Sequence, residues 1–147
     1  MKERIGRMSR EEGFPQSRLG SFTSAEIEFV RGSADFIGLN HYTSVVCADG
    51  EPAGFDRPSF GADRGGNCYT PAEWEASSSS WLKVVPWGLR KILKWTKDEY
   101  NDFEIIITEN GYSDTTGDMD DCPRIKYLNV RIWFYQFSSV NKIIAGF

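Results

Sequence analysis

Apolar positions along the chain follow two different periods. The run Ile105-Ile106-Ile107 is unbroken and passes at once into Thr108-Glu109-Asn110-Gly111. Three β-branched residues in succession do not alternate between an apolar and a polar face. They predict a strand over 104–108 buried on both sides, the habit of parallel sheets. Between Pro86 and Tyr100 the period is helical: Leu89, Ile92, Leu93, Thr96 and Tyr100 form one stripe, and Arg90, Lys91, Lys94 and Lys97 line the other side. This predicts an amphipathic helix with a solvated basic face, closed by Asn101-Asp102. A second short strand is predicted at Asp35–Asn40, D-F-I-G-L-N, running into Asn40, His41, Tyr42 and Thr43. Ahead of it, Thr23-Ser24-Ala25-Glu26 is a capping box. It should start a short helix reaching about Arg31, with Ile27 and Val30 buried and Gly32-Ser33 ending it. Strand, long loop, helix, strand is βαβ logic with a right-handed crossover. Both polar strand ends then lie at one edge of the sheet, where Asn40, Tyr42 and Glu109 can meet.

The remaining segments are less regular. Residues 1–12 are charged and end in Gly13-Phe14-Pro15, a helix end and turn. Residues 47–80 are rich in Gly, Pro, Asp and Ser and include the run Ser77–Ser80. They predict a long loop, functional or disordered. Trp74 and Trp81 flank the serines, and a loop tryptophan is either packed or a binding platform, packing being favoured on the residues alone. After Glu109 the chain is Gly- and Asp-rich to Pro123, and Arg124–Tyr127 opens another helix-like segment. Residues 130–147 are apolar and aromatic with no clear period.

Composition narrows the classes. The 147 residues can make one ordinary domain, and 40% hydrophobic with 26% charged residues is globular. A net charge of −4 gives no basic footprint for nucleic acid. No window approaches the roughly 18 apolar residues of a membrane span. Met1-Lys2-Glu3-Arg4 does not read as a secretory leader, which leaves the compartment open, as is the oligomeric state. Cys47, Cys68 and Cys122 include no C-x-x-C pair, which argues against zinc; one disulfide is possible, its pairing open. His41 is the only histidine, and no nucleophilic motif accompanies it to make a triad. Asp118, Asp120 and Asp121 lack calcium-loop spacing and read as a solvated turn. No nucleotide-binding glycine motif occurs. Neither metal nor cofactor is expected.

Glu109 is the residue that asks for chemistry. A carboxylate at the end of a buried strand is costly unless something there needs it, and in an α/β barrel the carboxyl ends of strands carry catalytic side chains. The bland alternative is a strand and turn with Glu109 solvated. The motif I-T-E-N-G around Glu109, P-W-G-L-R-K-I-L-K-W before it, and D-F-I-G-L-N-H-Y-T-S before that resemble glycoside hydrolase family 1. This is the family of β-glucosidases, lactase-phlorizin hydrolase, myrosinases and the klotho proteins. The resemblance runs from Met1 to about Asn129. It divides the chain into a partial family barrel at 1–129 and a divergent apolar tail at 130–147.

The resemblance implies an α/β fold: part of a (β/α)8 TIM barrel, covering roughly strands six and seven with their helices and loops. It implies Glu109 as the nucleophile of a retaining β-glycosidase, Tyr42 as the residue that orients it, and Asn40 and Trp81 as substrate-binding residues. Trp81 stands at the same separation from Glu109 as the family's aglycone-stacking tryptophan. The substrate class would be small-molecule β-glycosides. The 147 residues depart from the pattern in containing no N-E-P motif, the site of the family's acid/base Glu. The strand-one glutamine, the strand-three histidine-tryptophan pair and the strand-eight sugar-binding glutamate and tryptophan have no counterpart either. A chain with the nucleophile alone should be inactive. The rival readings are a non-catalytic, klotho-like glycan-binding or regulatory module, and an interaction protein using the 130–147 tail.

Overall fold

A computed structural model describes residues 1–52, 54–101, 103–115, 117, 119–136 and 143–145, from 130 onward by backbone alone. In chain order the elements are α1 (Lys2–Glu11), α2 (Ser24–Val30), β1 (Ile37–Asn40), β2 (Val46–Asp49), α3 (Phe60–Asp63), β3 (Gly66–Tyr69), α4 (Pro86–Tyr100), β4 (Ile105–Glu109), α5 (Cys122–Gln136) and β5 (Ile143–Ala145). They fall into two compact units, residues 1–33 with 46–69 and residues 34–45 with 70–147. Among the described residues no helix is long and apolar enough to cross a membrane.

The first unit holds α1, α2, α3 and an antiparallel pair, β2 with β3. Its centre is α1, which buries Ile5, Met8 and Ser9. The Ser9 hydroxyl donates to the Ile5 carbonyl (2.7 Å) and accepts from the Arg18 amide (3.0 Å), so the buried oxygen is satisfied. Arg18 then grips Asp63 through two bonds of 2.8 Å and Glu12 through one of 2.8 Å. The fork geometry holds the Asp63 carboxyl below the usual carboxylate range. The capping box is present: Thr23 accepts from the Glu26 amide, and the Glu26 carboxylate accepts from the Thr23 amide at 2.7 Å.

Two expectations fail in this unit. Ile27 and Val30 are exposed, at 43% and 46%, not buried: the capping box starts the helix, and no residue of the helix is buried. The irregular stretch at 47–80 contains a β2–β3 pairing with Cys47 directly opposite Cys68. Those two cysteines form a disulfide, and Cys122 is free and exposed. Gly, Asp and Pro between the strands masked the pairing because each strand is only four residues long.

The second unit carries a three-stranded parallel sheet in the order β1-β4-β5, with α4 and α5. Pro86 opens α4 at a position where its missing N–H costs nothing. Asn101 closes it at φ 61°, a left-handed value that Asn tolerates; Asp102 lies outside the described residues. Leu89 and Leu93 of α4 pack on Ile105 and Ile107 of β4, all at most 5% exposed, with Ile37, Leu39 and Ile92 around them. Thr96 is buried in the same stripe, its hydroxyl bonded to the Ile92 carbonyl at 2.8 Å. Arg90, Lys91 and Lys94 are exposed, as a solvated face requires, while Lys97 is half-buried.

Here too the details differ from the sequence pattern. Tyr100, the last position of the stripe, is 52% exposed, because the helix ends there with no turn beyond it to pack against. β4 is not uniformly buried: Ile105 and Ile107 are covered, Ile106 is partly covered, and Thr108 and Glu109 are exposed. The β-branched run hides an alternation that α4 imposes from one side. α5 continues to Gln136. Of the tail aromatics and aliphatics, Trp133, Phe134, Tyr135, Phe137, Ile143, Ile144 and Phe147, the side chains lie outside the described residues.

Candidate active site

The site forms in the second unit, where β1 and β4 end side by side. Their parallel register runs Ile37 to Ile105, Gly38 to Ile106 and Leu39 to Ile107, then slips so that Asn40 faces Glu109. Thr108 is the residue passed over. A bulge of this kind re-aims the side chain that follows it. The Thr108 hydroxyl donates to Asn40 Oδ1 at 2.6 Å, and the His41 amide donates to the Glu109 carbonyl at 2.9 Å. The bulge is therefore bonded on both sides, and Asn40 and Glu109 are held as neighbours.

Tyr42 completes the group. Its hydroxyl donates to Glu109 Oε2 at 3.1 Å. The hydrogen bond to a carboxylate, reinforced by partial burial and by the carboxylate's charge, pushes the Tyr42 phenol above its usual range. Asn40, Tyr42 and Glu109 thus meet at one sheet edge, as the βαβ argument expects.

Trp81 stands beside them. It is 59% exposed, and its ring meets that of Tyr42 edge-on, with centroids 6.2 Å apart. Its segment is fixed by small hydroxyls. Thr43 donates to the Lys83 carbonyl at 2.8 Å and Ser77 to the Leu82 carbonyl at 2.9 Å. Ser79 donates to Ser113 at 2.7 Å and Thr115 to Ser78 at 3.0 Å. Ser78 and Ser79 thus tether this stretch to the segment after Glu109. Trp74 answers the packing question the other way: it is half-buried edge-on against Trp87, centroids 5.6 Å apart.

Sequence reasoning missed Tyr127, which is 1% exposed on α5. Its hydroxyl lies 2.9 Å from the Tyr42 carbonyl and 2.7 Å from Asn110 Oδ1. An aromatic residue in a helix gives no sequence signal for such a role. The His41 ring nitrogen lies 3.5 Å from the Ser44 hydroxyl, the outer limit of a hydrogen bond. Asp120 accepts from the Cys122 amide at 3.2 Å and Asp121 from Arg124 at 2.9 Å, so both carboxylates serve the start of α5; Asp118 lies outside the described residues. Among the described residues, no three His, Cys, Asp or Glu side chains are grouped to hold a metal ion.

The family model described as Glycosyl hydrolase family 1 matches residues 1–139. Lactase/phlorizin hydrolase of Homo sapiens is 44% identical over 133 residues, covering 90% of this chain and 7% of that protein. The solved aphid myrosinase superimposes with a TM-score of 0.82 at 35% identity, covering 99% of this chain and 31% of that one. The β-glucosidase of Trichoderma harzianum does so with a TM-score of 0.74 at 27% identity, covering 95% and 32%. The chain thus spans less than a third of the length of each of these relatives, and over nearly all of its own length it belongs to glycosyl hydrolase family 1.

Proposed function

We propose that this chain is the nucleophile-bearing segment of a retaining β-glycosidase, with β1 and β4 as strands six and seven of a (β/α)8 barrel. Glu109 is the nucleophile that would attack the anomeric carbon, Tyr42 holds and orients it, Asn40 contacts the sugar, and Trp81 stacks on the aglycone. The observation that carries the reading is the Tyr42 hydroxyl on Glu109 Oε2, at the carboxyl ends of adjacent parallel strands. A carboxylate nucleophile must be ionised and held in one orientation, and a donor hydroxyl does both. A glycan-binding module without turnover has no use for that pair, which weighs against the klotho-like alternative.

The double displacement needs a second carboxyl about 5–5.5 Å from the first, as acid and then base. The N-E-P motif that would supply it is not among the 147 residues. Without it, general acid–base catalysis worth about 10²–10⁴-fold is lost, so the chain on its own should not turn over. The test is a chimera in which residues 1–139 replace the matching segment of a family 1 β-glucosidase. Hydrolysis of an aryl β-glucoside that disappears with Glu109→Gln, and covalent trapping of Glu109 by an activated 2-deoxy-2-fluoro β-glucoside, are the expected results. Undiminished hydrolysis in the Glu109→Gln chimera would remove the nucleophile assignment. Turnover by the unaided chain would overturn its inactivity.

A further inference from the structure

We propose that Tyr127 is a positioning residue whose hydroxyl sets the distance between Tyr42 and Glu109; this rests on the reading of that pair as nucleophile and orienting group. The two partners arrive on different strands: Tyr42 follows β1, and Asn110 follows Glu109 at the end of β4. The last ladder bond runs from the His41 amide to the Glu109 carbonyl, and the ladder does not reach Tyr42 or Asn110 beyond it. Tyr127 does so from α5. Its one hydroxyl hydrogen is shared between the Tyr42 carbonyl at 2.9 Å and Asn110 Oδ1 at 2.7 Å. One contact is to the main chain of the orienting residue and the other to the neighbour of the nucleophile.

The clamp itself has little freedom. The Tyr127 ring is 1% exposed and lies against Tyr112, centroids 5.7 Å apart. Burial without a partner would be costly for the hydroxyl, so it holds its acceptors firmly. The pair it controls is sensitive. At 3.1 Å the Tyr42–Glu109 contact is already longer than the roughly 2.5–2.7 Å of a tight O–H···O⁻ bond, and a drift of a few tenths of an ångström weakens it steeply. The Tyr42 ring also lies along the chain leaving Glu109: a Cβ at Gly111 would sit in ordinary contact with it, at 3.4 Å. Positioning of catalytic groups to within about 0.5 Å is what such supporting contacts provide.

The experiment is ¹³Cζ-tyrosine NMR on the full chain, which reads the hydrogen bond without requiring turnover. Tyr42→Phe assigns the Tyr42 resonance, and Glu109→Gln marks its position when no carboxylate accepts. Tyr127→Phe keeps the ring and removes only the hydroxyl. The expected result is a Tyr42 resonance displaced toward the Glu109→Gln position, with helix content by circular dichroism unchanged. A Tyr42 resonance that responds to Glu109→Gln but not to Tyr127→Phe overturns the role of Tyr127 and leaves the pair intact. One that ignores Glu109→Gln as well overturns both. If Tyr127→Phe does not fold, Asn110→Ala removes one of the two acceptors outside the core: displacement in the same direction supports the proposal, and an unmoved resonance overturns it.

Discussion

Ser79 donates its hydroxyl hydrogen to the hydroxyl of Ser113 across 2.7 Å, tying the segment that carries Trp81 to the segment that follows Glu109. The Ser78 amide adds a bond to the Ser113 carbonyl at 3.1 Å. Trp81 is exposed, so the loop's tethers, not burial, hold it beside Tyr42. Ser79→Ala should leave the fold intact and loosen Trp81, the proposed aglycone platform. In the chimera, KM for aryl β-glucosides should rise several-fold with kcat nearly unchanged, the pattern of binding lost equally from ground and transition states. A kcat that falls as far as kcat/KM would show that the loop shapes the chemistry and not the aglycone site.

The raised Tyr42 phenol gives a pH prediction with a definite sign. The carboxylate of Glu109 stabilises the neutral phenol and opposes the phenolate, so the folded value lies above the ordinary value of 10.0. The contribution to stability is fully present below that value and is lost as pH climbs through the folded one. Ultraviolet titration of the full chain, read as the difference from Tyr42→Phe, should show the Tyr42 component ionising late, and Glu109→Gln should return that component toward the ordinary range. A Tyr42 component that stays late in Glu109→Gln would assign the shift to burial, the second cause, in place of the carboxylate.

The two strands, α4 and the meeting of Asn40, Tyr42 and Glu109 could be read from sequence because each rests on local signals: a β-branched run, a helical stripe and a polar strand end. What was not legible depends on contacts between segments. The β1–β4 bulge at Thr108 follows from register, which no single strand states. Tyr127 reads as one more aromatic until α5 is laid against the strand ends. The β2–β3 pair was hidden because four-residue strands among glycines carry almost no period. The burial of Ile27 and Val30 was misjudged for the opposite reason: a capping box predicts that a helix forms, not what covers it.

The Cys47–Cys68 disulfide closes a loop at a sequence separation of 21. In the chain-entropy account a loop of that size restrains the unfolded ensemble by roughly 3 kcal/mol. Reduction should therefore release β2 and β3, whose eight paired residues offer little apolar burial of their own. Limited proteolysis with and without a thiol reductant should show new cleavage between residues 46 and 69 on reduction, with residues 86–109 still protected. Equal protection before and after reduction would mean that the strands are held by packing alone.

The core under the site gives the last prediction, through two substitutions that separate packing from close approach. Leu93 is fully buried between α4 and β4, so Leu93→Ala leaves a cavity against Ile105 and Ile107 and should cost about 2–5 kcal/mol. Gly88→Ala would ordinarily favour a helix by about 0.8–1 kcal/mol. Here the added Cβ overlaps the Ser44 hydroxyl and comes within 3.1 Å of the Ser44 Cβ, so the hydroxyl must rotate away and the Ser44 Cβ must give by a few tenths of an ångström. Gly88→Ala should then destabilise by about 1–3 kcal/mol, as overpacking does. In a Ser44→Gly background the same change should regain the helix preference and stabilise relative to that background. Denaturant midpoints for the four combinations decide it. Additive effects of the two changes would show that Gly88 and Ser44 do not touch in solution, and that the start of α4 does not bear on the segment carrying Tyr42.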